Sequence, residues 1–555
     1  MTRDSDDRRP LDLAPAGGGE ALTDRRLRQA TAAFVALGVA LRVARYLMNY
    51  PLWWDEAFVA VNFLRRGYLD LLRPLDYGQV CPILFLWAEL TAVKLLGVSE
   101  WSLRLVPLAC AVAGVFLFRV AAGLVLRGVP LLLAVAVFAV SFHPVRHAAD
   151  LKPYAGDLLA ALVLLTSALA WWRSPGRAAW LWALAAAAPV ALAGSHPAVF
   201  VAGGVGLGLA PAVVRSGSRG VRVAYSAFLL ATAATFLGLF VVFTGAQASA
   251  TLGTMRAQWG QGFPPRNDPT GLARWLVSVH TGGMFAYPCG GEHGASAATL
   301  ALFAAGAVVL VRRGRGTVAG VCLAPFGVAL AAAALRRYPY GGVAHGTCAR
   351  IMQYLVPSVC LLTGLGAAAL VARISRPRLR FRVLRLGLFA LVLVGVVPVA
   401  ADATHPYRSA HAWHARRFAR DFWPAVGRGA EPVCLRWDLG LGAWDSLNLN
   451  VAVYLCNQAI YSPRRRQGQD PRPEGASDGR PLRCVLSLSD PDDARVIALL
   501  DGARAGYRLK RRRVRDVNMA DPGARRRVER YVVYDFVPVA RGVAARAGAS
   551  PAVTH

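Results

Sequence analysis

Pro82-Ile-Leu-Phe-Leu-Trp-Ala-Glu-Leu-Thr-Ala-Val-Lys-Leu-Leu-Gly97 decides how this chain is threaded. The stretch is apolar and helix-like, but short, and it carries Glu89 and Lys94. Crossing the hydrocarbon of a bilayer takes about 20 apolar residues. Eleven further apolar runs lie around it, near 30–48, 103–125, 129–143, 156–172, 178–194, 197–214, 223–244, 296–311, 317–335, 351–372 and 383–401. If 82–97 also crossed, every later loop would change side. Charge makes the choice. With 82–97 lying at the outer surface as a juxtamembrane helix, Arg127, Arg173, Arg177, Arg215, Arg219, Arg222, Arg312, Arg313, Arg315 and the Arg-rich 373–385 segment face the cytoplasm. That is the arrangement the positive-inside rule requires. The same threading puts all ten acidic residues between 29 and 401 on the outer side. Two explanations fit that bias: an external working face, or simply longer outer loops.

Composition agrees with many spans. Of 555 residues, 55% are hydrophobic and only 17% charged, with a mean hydropathy of +0.40. Soluble domains average about 25% charged residues. Such apolar content excludes a disordered chain, and the lack of a period excludes a rod. The 63 Lys+Arg against 32 Asp+Glu, net +31, would suit nucleic acid, but the apolar content would not. The class is a polytopic membrane protein with no nucleic-acid partner. Only three of the basic residues are lysines (Lys94, Lys152 and Lys510), which makes Lys152 an unusual choice. Nine cysteines without a CxxC or Cys/His spacing indicate no zinc or redox centre. Disulfides among Cys289, Cys348, Cys434, Cys456 and Cys484 stay open.

Residues 1–28 read as a cytoplasmic N-terminal tail, and 30–48 as an uncleaved first span. Residues 29–401 form the all-α membrane domain, with the eleven runs read as about eleven transmembrane helices. After 402 the apolar runs shorten to strand length, at Pro432–Leu435, Ala452–Leu455, Arg483–Leu488 and Tyr531–Phe536, with a helix-like 490–502 and then Tyr507–Arg515. Short strands alternating with a helix predict a small α/β domain over 402–540, extracytoplasmic because the span number is odd. It is basic, with 26 Lys+Arg against 16 Asp+Glu over 402–555. Its Arg511–Arg513 run is either a solvated face or a contact for anionic head groups. Residues 463–481 read as a loop, and 541–555 as a flexible tail.

Three outer segments carry candidate chemistry. Tyr50-Pro-Leu-Trp-Trp-Asp-Glu-Ala57 places adjacent carboxylates, Asp55 and Glu56, at the end of a span beside two tryptophans. Carboxylates at that depth are costly, and an interfacial carboxylate can act as a general base toward a hydroxyl. The second segment, His143-Pro-Val-Arg-His-Ala-Ala-Asp-Leu-Lys-Pro-Tyr-Ala-Gly-Asp157, holds Asp150, Lys152, Tyr154 and Asp157. A helix starting near Pro153 puts Tyr154 and Asp157 on one face. The Lys152 ammonium fits either a phosphate ligand or a local pair with aspartate. The third segment, Arg336-Arg-Tyr-Pro-Tyr-Gly-Gly-Val-Ala-His-Gly-Thr-Cys-Ala-Arg350, sets arginines on the outer side. Outer arginines call for a local anion. Arg350 is the preferred ligand and Arg337 the second, although snorkelling to head groups explains Arg336 and Arg337 equally well. The loop 245–295 carries Trp259, Trp275, His280 and Tyr287, a composition suited to stacking on a sugar or closing over an acceptor. His280, His293 and Glu292 are too irregular for a metal site, and the sequence does not decide between a divalent cation and none.

The motifs resemble those of the GT-C membrane glycosyltransferases, in the protein O-mannosyltransferase, aminoarabinose transferase and galacturonosyltransferase-like branches. The resemblance rests on Leu41-Arg-Val-Ala-Arg-Tyr46, Leu52-Trp-Trp-Asp-Glu-Ala57, Cys81-Pro-Ile-Leu-Phe-Leu86 and Leu95-Leu-Gly-Val-Ser-Glu-Trp-Ser-Leu-Arg-Leu105. It covers roughly 40–375. Leu96 stands where the family has Phe, and Cys81-Pro82 where it has Pro-Pro. The resemblance implies that Asp55, with Glu56 beside it, deprotonates or orients an acceptor hydroxyl. A sugar on a polyprenyl phosphate is attacked at its anomeric carbon with inversion, and the lipid phosphate leaves. Asp150, Tyr154 and Asp157 shape the acceptor side; Lys152, Arg350 and Arg337 bind the donor phosphate. Implied partners are the polyprenyl-phosphate-linked sugar, the bilayer of an inner or plasma membrane, and an acceptor protein, lipid or glycan. The alternative is a transporter or flippase that moves such a lipid without transferring sugar.

Overall fold

Water does not follow a peptide group into hydrocarbon, so an apolar run must satisfy its own N–H and C=O groups as a helix. Each of the eleven apolar runs is helical in the computed structural model, which describes residues 9–13, 20–249, 259–290, 295–341, 347–426, 434–435, 446–461, 482–488, 507–519 and 527–538. Among the described residues, eight helices are long and apolar enough to cross a membrane: 24–47, Ser102–Val125, Tyr154–Arg173, Ala198–Arg215, 219–249, Gly316–Ala334, 353–372 and Pro377–Thr404. Gly128–Val140 and Phe142–Ala149, bent by 47°, make a ninth if counted as one span, and Ala179–Gly194 and Ser296–Arg312 are shorter apolar helices. The chain is a multi-pass membrane protein. The deciding stretch forms the 14-residue helix Ile83–Leu96, which is not among those candidates. Gly97 ends it at φ 80°, a backbone conformation glycine adopts without strain.

The chain divides into two compact units. The first comprises residues 1–49, 68–97 and 101–406, and the second 50–67, 98–100 and 407–555. This division cuts across the linear order read from the sequence, because two short early segments cluster with the C-terminal region.

In the first unit, helices approach closely where glycine removes the side chain. A Cβ on Gly204 or Gly208 would run into the backbone of Pro325 or Val321, so Ala198–Arg215 and Gly316–Ala334 meet along a Gly-x-x-x-Gly seam. Gly364 meets Ala134 in the same way, and Gly366 meets Leu302. One end of this unit gathers Arg-rich turns with part of the N-terminal segment. Leu11 bridges to Leu126, Arg127 Nε lies 3.2 Å from Asp12, and the Arg315 guanidinium donates to the Arg9 carbonyl. These turns are ones the charge pattern assigns to the cytoplasm. The first helix reaches back to Glu20, so part of the 1–28 segment is helical rather than tail.

Among the described residues of the second unit, four strands form one sheet in the order β1-β2-β4-β3: β1 Cys434–Leu435, β2 Leu482–Leu488, β3 Tyr507–Met519 and β4 Arg527–Pro538. β1 pairs parallel with β2, and the other pairs are antiparallel. Arg511–Arg513 lies within β3. Ala452–Leu455 is not a strand; it belongs to the helix Ser446–Tyr461. Leu447, Leu449, Val451, Val453 and Leu455 alternate as a strand would. Packing against the helix Trp54–Phe63 overrides that local pattern. The expected helix 490–502 and loop 463–481 lie outside the described residues.

Two measurements check this arrangement. Gly208→Leu is expected to destabilise the detergent-solubilised protein by about 1–3 kcal/mol through overpacking, seen as a lower unfolding midpoint; an unchanged midpoint would contradict the seam. Leu96→Cys, in a background with the exposed Cys289 replaced by Ser, is expected to label with a membrane-impermeant maleimide from outside intact cells. Labelling only after lysis would overturn the threading.

Candidate functional site

At the other end of the first unit, the chain bends out of Gly128–Val140 into Phe142–Arg146, a 3-10 turn at His147–Ala149, and then the helix Tyr154–Arg173. Pro153 caps that helix, and the Asp157 N–H donates to its carbonyl at 2.8 Å. Three of the sequence-derived residues occupy the bend, and all have partners. Asp150 Oδ2 lies 2.7 Å from His147 Nδ1, with both side chains buried. Lys152, 6% exposed, donates from Nζ to Gln79 Oε1 at 2.7 Å. Its backbone N–H donates to the Asp150 carbonyl at 2.7 Å. The Tyr154 ring meets the edge of His147 at 5.4 Å. His143 stacks parallel to His147 at 6.1 Å.

Arg350, in the short helix Thr347–Ile351, comes to the same place from a distant part of the chain. Its guanidinium carbon lies 5.9 Å from the Tyr154 ring centre and 5.8 Å from that of Trp259. Two aromatic faces therefore hold one planar cation, an arrangement typical of arginine. Arg337 is exposed, and its N–H closes the preceding helix on Ala332. Arg336, at φ 54°, stacks its guanidinium over Phe263. Asp157 leaves the bend for the helix interior, buried beside Ser195 and near Cys110. Tyr154 and Asp157, three residues apart, thus serve different surroundings.

Trp259–Pro288 contributes a second wall. Gly262 C=O accepts from the Tyr340 N–H at 2.9 Å, and His280 Nε2 lies 3.1 Å from the Tyr340 hydroxyl. Asp268 caps the helix Pro269–Thr281 by accepting from the Gly271 N–H at 2.8 Å. Glu292, His293 and His345 lie outside the described residues. Among the described residues, no three His, Cys, Asp or Glu side chains converge as metal ligands would. The chemistry on offer is that of a lysine and an arginine, both partly desolvated, beside a buried His–Asp pair. That combination suits a phosphate.

The second unit holds the acidic pair. Asp55 (9% exposed) and Glu56 (1%) occupy the first turn of Trp54–Phe63, where the helix dipole favours negative charge. All of that helix except Trp54 is buried. Trp53 packs edge-on to Trp54 at 5.1 Å and carries the Arg408 guanidinium over its face at 5.1 Å. Cys456 donates weakly to the Ala57 carbonyl at 3.8 Å.

Sequence reasoning missed Gln79, His147 and Arg408. Gln79 is 73 positions from Lys152, and no spacing rule connects them. His147 is three positions before Asp150 in a turn, and Asp–His at that separation was the one local signal that could have found the pair.

No protein-family model matches the sequence, and no curated protein matches it by sequence. Solved structures match by fold. ArnT from Cupriavidus metallidurans bound to undecaprenyl phosphate superposes with a TM-score of 0.50 at 13% identity, over 91% of this chain and 97% of that one. The apo state of the same protein gives 0.48 at 14% identity, over 91% and 98%. The apo oligosaccharyltransferase from Archaeoglobus fulgidus gives 0.46 at 10% identity, over 80% and 65%. The chain has the GT-C-type fold that its motifs led one to expect.

The buried His147–Asp150 contact is expected to matter for stability. His147→Ala should cost about 1–3 kcal/mol, the range for leaving a buried hydrogen-bonding partner unsatisfied, measured by thermal unfolding in detergent. A wild-type midpoint would mean that Asp150 does not depend on it.

Proposed function

We propose that this chain is an integral-membrane glycosyltransferase that moves a sugar from a polyprenyl-phosphate donor to an acceptor hydroxyl, with inversion, on the outer face of the membrane. The observation that carries the reading is Arg350 seated over Tyr154, two residues along the chain from the buried Lys152, opposite the arginine-rich end of the membrane unit. Support comes from the fold likeness to ArnT, a protein seen with undecaprenyl phosphate.

The roles are assigned unit by unit. In the first unit, Lys152 and Arg350 offset the negative charge that grows on the phosphate as its bond to the anomeric carbon breaks. Gln79 aims the ammonium, and the Tyr154 and Trp259 rings hold the guanidinium plane. Asp150 and Tyr154 shape the acceptor side with His147. In the second unit, Asp55 takes the proton of the acceptor hydroxyl while that oxygen's lone pair forms the new bond to the anomeric carbon. Glu56 lies beside it. The products are the glycosylated acceptor and the polyprenyl phosphate, and Asp55 returns its proton to solvent.

Purified protein incubated with polyprenyl-phosphate sugars tests the reading, with sugar transfer or release as the readout. Asp55→Asn is expected to lower turnover by at least about 100-fold, the scale of general-base catalysis, with membrane insertion intact. An active Asp55→Asn enzyme would sink the assigned mechanism. Lys152→Met and Arg350→Ala are each expected to cost about 10²–10³-fold in kcat, as for the loss of one preorganised charge-stabilising donor. A wild-type protein that moves the donor across vesicles intact, without turnover, would point to a flippase instead.

A further inference from the structure

Glu100 belongs to the Gly97-Val-Ser-Glu100 motif, and the mechanism above gives it no task. In the second unit it is 3% exposed. Its carboxylate accepts from the Tyr461 hydroxyl, and Oε1 lies 3.4 Å from Arg416 Nε. Arg416 also donates to the Tyr461 hydroxyl oxygen at 3.1 Å. Arg420 adds its guanidinium over the Tyr461 ring at 5.6 Å. Burial, then the charge of Glu100, raise the Tyr461 hydroxyl above the ordinary phenol range, so it stays protonated and donates. The carboxylate, guanidinium and hydroxyl form a closed triangle, the condition under which a buried charge is tolerated.

Tyr461 is the last residue of the helix Ser446–Tyr461. The same helix packs along Trp54–Phe63, where Cys456 meets the Ala57 carbonyl two residues after Asp55. One helix thus touches the triangle at its end and the acid-bearing helix along its side.

We infer that Glu100 is a positioning residue: with Arg416 it anchors the helix Ser446–Tyr461, and that helix sets the helix that carries Asp55. The C-terminal region is then part of the machinery that presents Asp55, not an appended module. This rests on Asp55 being the base, but its first test does not.

Cys456 is buried against Ala57 and reports on the contact directly. In the full-length protein in detergent, alkylation by a small maleimide is followed at each cysteine by peptide mass spectrometry. Glu100→Gln and Arg416→Ala are each expected to speed alkylation of Cys456 at least about tenfold, while the buried Cys81 and Cys360 keep their slow rates. Rates that rise at all three sites, or at none, would overturn the inference. Tyr461→Phe, which removes only a hydroxyl, is the milder variant should the others fail to fold, and it must raise the Cys456 rate alone. Turnover of a polyprenyl-phosphate sugar then gives the functional arm. Glu100→Gln is expected to lower kcat at least about tenfold with donor KM within about twofold, Arg416→Lys to recover part of the Arg416→Ala loss, and the double variant to be no worse than the worse single. Wild-type kcat in Glu100→Gln overturns the positioning role. Turnover that survives Asp55→Asn while Cys456 still responds to Glu100→Gln would sink the base assignment alone.

Discussion

Hydrocarbon offers a peptide group no hydrogen-bond partner, and this single deficit organises the membrane unit. Each apolar run closes its own backbone as a helix, and a helix in lipid gains little by hiding apolar side chains that lipid already solvates. What remains to hold helices together is close contact. The glycines supply it: Gly204 and Gly208 against Pro325 and Val321, Gly364 against Ala134, and Gly366 against Leu302. At each of these places a methyl group would have to displace backbone.

The same deficit drives charge to the ends of the helices, where two different chemistries have gathered. At one end Arg127 and Arg315 are tied to Asp12 and the Arg9 carbonyl. At the other end each charged group has specific company: Asp150 with His147, Lys152 with Gln79, Arg350 between Tyr154 and Trp259. Burial without such partners costs several kcal/mol per charge, on the order of 2–7 even for a neutral polar group. Groups kept in so costly a setting are the natural candidates for function. Asp55 and Glu56 follow related logic in the second unit, where the positive end of a helix helps to offset their burial.

Much of this was legible in the sequence. The eleven apolar runs coincide with helices because length and composition suffice to specify a helix in lipid. The short helix at 82–97 was separable from the candidate spans because sixteen residues with two charges fall short of the hydrocarbon thickness. Pro357 sits in the first turn of the helix Val356–Ala372, as proline's fixed φ favours. Ala452–Leu455 went the other way. Its alternating leucines and valines match a strand locally, and only the neighbouring helix makes the helical alternative better. The Gly-x-x-x-Gly seam was present in the residues, but which helix it would meet was not.

The sequence by itself determined the membrane class and the helices, because both follow from local hydrophobicity and from the cost of an unpaired peptide group in lipid. The tertiary structure alone decided which groups meet. Gln79 reaches Lys152, Arg350 reaches Tyr154, and Glu100 of an early loop joins Arg416 and Tyr461 of the C-terminal region. Pairings between residues so far apart depend on how helices pack, and packing is set by the summed fit of many side chains, which no local pattern encodes.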